Sequence, residues 1–65
     1  MDPNANLEEQ ESLLTAEGVD LDIFRIRDLR HALDEWLAKG GFQPEWERYP
    51  VAARDFRAWQ HLEGR

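Results

Sequence analysis

The chain has 65 residues, 14 acidic and 8 basic side chains, a formal net charge of −6 and no cysteine. That length holds one domain, residues 1–65, and excludes two-lobed nucleotide-binding folds; about 60 residues bury only roughly 60 % of the surface their unfolded chain exposes. Without cysteine, neither disulfides nor a thiolate zinc site can reinforce so small a core, and no apolar run approaches the roughly 18 residues of a membrane span.

The first predicted element is a helix over residues 3–17. Asp2 followed by Pro3 suits an N-cap with proline at the first helical position, where its missing N–H costs nothing. Asn6 with Glu9 is a competing capping pair one turn on. Gly18 offers a left-handed stop. The apolar stripe is thin: Leu7 and Leu14, with Leu13 to one side, so this helix must lean on another. The acidic excess also lies here. Residues 1–22 hold Asp2, Glu8, Glu9, Glu11, Glu17, Asp20 and Asp22 with no base, whereas residues 23–65 hold seven acids against all eight bases. Direct nucleic-acid binding is not expected of such a chain, because phosphate affinity needs concentrated Lys and Arg.

The second helix has the plainest pattern. Asp20 or Asp22 caps it, and Gly40 ends it after Lys39. Ile23, Ile26, Leu29, Leu33, Trp36 and Leu37 share one side at 100° per residue, with Val19 just ahead. Asp28, His31, Asp34, Glu35 and Lys39 take the other side, and Arg30–Asp34 and Glu35–Lys39 stand four apart, where opposite charges meet. Leu21 and Phe24 point away from the main stripe, which implies a second contact. The connection around Gly18 and Val19 is short enough to make the first two helices antiparallel neighbours.

Trp36-Leu37-Ala38-Lys39-Gly40-Gly41 and the following Pro44 resemble the Trp-cage miniprotein in the spacing of tryptophan and glycine pair. The resemblance implies a chain that turns back, so that Trp36 is covered by some of Phe42, Pro44, Trp46 and Pro50. Pro44 opens a single turn carrying Trp46. Pro50 opens a third helix over 50–62, with Val51, Ala52, Phe56, Trp59 and Leu62 as its apolar arc. Asp55 lies inside that arc, and a buried carboxylate must be paired. Its partner is either an arginine of the second helix (Arg25, Arg27 or Arg30) or a group across an oligomer interface. The fold class is therefore all-α: a helical hairpin, an aromatic Gly-Gly/Pro turn and a C-terminal helix.

Catalytic patterns are weak. Ser12 is the sole serine and lies on the weakest helix, and Gly40-Gly41 ends a helix where a phosphate loop would begin one. A pocket of about 300 Å³ would consume the core of a chain this size. Asp28, His31 and Glu35 share a helical face, but a solvated charged face explains them better than a metal. Trp36, Trp46, Trp59 and Tyr49 read as core rather than as a stacking platform, because Glu45 and Glu47 flank Trp46. The chain is expected to be a non-enzyme without cofactor or metal.

Ala32-Leu33-Asp34-Glu35-Trp36-Leu37-Ala38-Lys39-Gly40-Gly41-Phe42-Gln43-Pro44-Glu45-Trp46, with the opening Met1-Asp2-Pro3-Asn4-Ala5-Asn6-Leu7, resembles small uncharacterised proteins of mycobacteriophages and related actinobacteriophages. The resemblance covers both ends of residues 1–46; the helix after Tyr49 lies outside it. It assigns no activity and no residue role. What it implies is a phage-encoded protein acting in the bacterial cytoplasm, and Met1-Asp2-Pro3-Asn4, which lacks the basic start of a secretory signal, agrees with that compartment. Two functions fit. The first is a helical protein-interaction module, self-associating as a homodimer, with Leu13, Leu21 and Phe24 as its contact residues. The second is an acidic decoy, in which Glu8, Glu9, Glu11, Glu17, Asp20 and Asp22 imitate phosphates to occupy a DNA-binding protein.

Overall fold

The computed structural model describes residues 1–16 and 22–63. All regular structure among them is helical: α1 (Pro3–Thr15), α2 (Ile23–Ala38), a 3₁₀ turn (Trp46–Arg48) and α3 (Pro50–Glu63). Asp2 caps α1 by accepting the Asn4 N–H at 2.9 Å, with Pro3 in the first turn as expected. α1 ends at Thr15, two residues before the expected limit, and Ala16 is extended. The Thr15 hydroxyl donates to the Glu11 carbonyl at 2.7 Å, a back-bond that loosens a last turn. Gly18 and Val19 lie outside the described residues.

Of the two capping candidates, Asp22 caps α2 through the Arg25 N–H (3.0 Å), while Asp20 lies outside the described residues. The far end is a Schellman turn: Gly41 N–H donates to the Trp36 carbonyl and Gly40 N–H to that of Leu37. Gly40 sits at φ +88°, where an L side chain is strained. Gly40→Ala should therefore cost about 1–2 kcal/mol, seen as a Tm lower by roughly 5–15 °C in a thermal melt followed by circular dichroism. Gly41 lies flat against the Trp36 indole, so a Cβ there would overlap the ring. Phe42 meets the same indole edge-on at 5.5 Å, and the indole N–H donates to the Phe42 carbonyl. The chain turns back on Trp36 as the Trp-cage resemblance implies, with Phe42 as its cover.

The middle of the molecule is α1, although its apolar stripe is thin. It packs against both other helices. Asn6 bonds to the Leu29 carbonyl and Glu9 to Arg25, which fixes α1 and α2 as antiparallel. Glu11 accepts the Ala52 N–H at 2.7 Å, so a carboxylate of α1 caps the start of α3. Asn4 accepts the Glu45 N–H at 2.7 Å and pins the turn segment to the same helix. The buried face of α1 is Pro3, Asn6, Leu7 and Gln10, half of it polar.

Leu7, Leu33, Tyr49, Ala52, Phe56 and Trp59 form the core, with Trp36 and Trp46 half-buried against it. Trp46 stacks on Phe56 (centroids 5.8 Å) and carries the Arg57 guanidinium 5.0 Å from its ring centroid. Three expected core residues are exposed: Ile23, Val51 and Leu62. The buried strip of α3 is rotated toward Ala53, because Ala52 and Ala53 let its backbone approach α1, and Val51 is left outside. Ile23 is the first residue of α2, and Leu62 stands one residue before the end of α3. No described helix is long and apolar enough to cross a membrane.

Candidate functional site

α2 and α3 each pack on α1, and long side chains link them to each other. Arg30 directs two guanidinium nitrogens to one Asp55 carboxylate oxygen, at 3.1 and 2.6 Å. This is the arginine partner foreseen for Asp55, and both side chains are mostly buried. Gln60 donates to Asp34 at 3.1 Å, and the His31 ring meets Trp59 edge-on at 5.1 Å. These three contacts clip the helices together at mid-length.

Beyond the clip the space is unfilled. A groove of about 510 Å³ opens between α2 and α3, with Ile23, Phe24 and Trp59 as its apolar lining and Arg27, His31 and Glu63 among its polar walls. Phe24 is 70 % exposed and Ile23 63 %. A smaller hollow sharing Arg30, Trp59 and Glu63 continues the surface to Leu62, which is 80 % exposed. The side chains of Arg27 and Glu63 make no ion pair among the described residues.

Of the contact residues expected from sequence, Phe24 lies on this groove. Leu13 is half-buried on α1 and does not line it, and Leu21 lies outside the described residues. Periodicity groups Ile23 and Leu62 with the core, yet both are exposed, whereas Trp59 is buried in the core as expected and also lines the groove. Helical periodicity identifies an apolar face, but it does not say which of its residues another helix covers.

The acidic residues have other employment. Arg25 binds Glu9 at 2.5 and 2.7 Å. That hydrogen bond holds the Glu9 carboxyl below its ordinary pKa and raises that of Arg25. Glu11 caps α3 and Asp22 caps α2. Glu8 is exposed, and Glu17 and Asp20 lie outside the described residues. Asp28, His31 and Glu35 do not form a metal-holding group, nor does any other set among the described residues. Comparison with protein-family models, curated proteins and solved structures gives no match.

Proposed function

We propose that the chain is a non-enzymatic protein-interaction module, phage-encoded and working in the bacterial cytoplasm, whose contact surface is the α2–α3 groove. One observation carries the reading: Ile23 and Phe24 stand exposed on the groove, and Leu62 stands exposed on the adjoining hollow that shares Arg30, Trp59 and Glu63 with it. Scattered exposed apolar groups are ordinary, whereas a contiguous set is the usual mark of a protein contact. In a chain with so little core to spend, leaving these residues outside is costly unless another surface covers them.

The acidic-decoy reading has less support. It needs its carboxylates free and in a row, yet Glu9, Glu11 and Asp22 already hold the helices in place. The experiment that separates the two is capture of bacterial or phage proteins by the tagged chain, with and without Phe24→Glu. The groove reading expects capture that persists in high salt and is lost in the variant, with helicity retained. Capture by the variant of the same proteins, or a steep fall of binding with salt, would favour the acidic surface instead.

A further inference from the structure

We infer that the groove closes on a second copy of this chain, in a twofold contact that pairs Arg27 of each copy with the partner's Glu63 around Ile23, Phe24 and Leu62. This inference rests on the reading of the groove as a protein contact and names its occupant.

A twofold interface requires a surface complementary to itself, since the same patch serves both sides. The groove has that property. Arg27 stands on the α2 wall and Glu63 on the α3 wall, and neither side chain has an ion partner among the described residues. Rotation by half a turn brings the α2 wall of one copy over the α3 wall of the other, so that cation meets anion twice. The remaining charge in the groove is settled internally, because Arg30 is held by Asp55. A strongly acidic or strongly basic partner would find one wall attractive and the other repulsive. A second copy finds both attractive.

The apolar groups are arranged to match. Phe24 projects from the groove rim while Trp59 forms its floor, 7 % exposed. An aromatic anchor beside a concavity is the usual centre of binding energy in an interface. Each copy then supplies both an anchor and a place to receive one. The −6 charge of the chain opposes association at long range, but its excess lies in residues 1–22, while the groove carries Arg27 and Glu63, one charge of each sign without an ion partner among the described residues. Self-association is also a common supplement to a core as small as this one.

The test is the mass of the full 65-residue chain by sedimentation equilibrium, from low micromolar to millimolar concentration. Wild type should rise from 7.7 kDa to twice that value. Phe24→Glu should stay at the single-chain mass with its helical dichroism intact. Arg27→Glu and Glu63→Arg should each raise the dimer Kd by about tenfold or more, and their combination should return it to within about threefold of wild type. Should Phe24→Glu fail to fold, the charge exchange decides alone, since both of its positions are exposed. A single-chain mass at every concentration, a dimer untouched by Phe24→Glu, or a combined exchange as weak as the single changes would overturn the inference. If wild type is a single chain yet loses captured proteins on Phe24→Glu, the second copy is ruled out and the interaction surface stands; if neither changes, both fall.

Discussion

Phe56→Ala is expected to abolish the cooperative thermal transition of the chain. Phe56 is fully buried, lies between Trp46 and Trp59 at centroid distances of 5.8 and 5.7 Å, and joins α3 to the core built on Leu7 and Leu33. Truncating such a phenylalanine costs about 3–5 kcal/mol, because the transfer energy of the ring is lost and the cavity collapses only partly. A single core of this size rarely supplies more than about 3–5 kcal/mol in total. The two magnitudes are equal, so the variant should show broad, shallow melting and exposed tryptophan fluorescence at room temperature. Phe56→Leu keeps most of the volume and should lose only about 1 kcal/mol. A sharp melt for Phe56→Ala within about 1 kcal/mol of wild type would mean that the aromatic cluster is not the centre of stability.

The helix starts and the end of α2 were legible because the signals that set them are local, whereas the end of α1 was not. Asp2-Pro3, Asp22, Gly40-Gly41 and Pro50 each act within one turn, and the structure uses all of them. Interactions between elements were legible only where chemistry forced a partner. Asp55 on an apolar arc required a cation, and Arg30 supplies it. The central place of α1 was not legible, because two of its buried positions are Asn6 and Gln10, which a hydrophobicity pattern counts as surface. Nor was the use of Glu11 as a cap for a helix forty residues away. The groove was half legible. Phe24 stood out as off the main stripe, but the wall opposite it belongs to α3, and the angle between the two helices is not written in either one's periodicity.

The buried amide pair of α1 gives the second large effect. Asn6 donates to the Leu29 carbonyl at 3.0 Å and accepts from Gln10 at 2.7 Å, while Gln10 Oε1 is buried with no hydrogen-bond partner. Asn6→Ala removes both bonds and leaves the whole Gln10 amide unpaired in the core. The desolvation penalty of an orphaned buried amide is about 1–3 kcal/mol, and the small cavity adds to it, so a loss of about 2–4 kcal/mol is expected by urea denaturation. Replacing both members should act in the opposite sense. Asn6→Leu with Gln10→Leu removes the orphaned oxygen as well as the bonds, and a buried polar pair exchanged for apolar groups of similar volume is often neutral or stabilising. What the pair supplies is then register: one side-chain bond to one carbonyl of α2 fixes how far α1 slides along it. The double variant should accordingly match or exceed wild type in urea midpoint while its near-ultraviolet dichroism weakens. A double variant as unstable as Asn6→Ala would show that the two amides contribute net stability, and that α1 owes its central position to them rather than to Leu7.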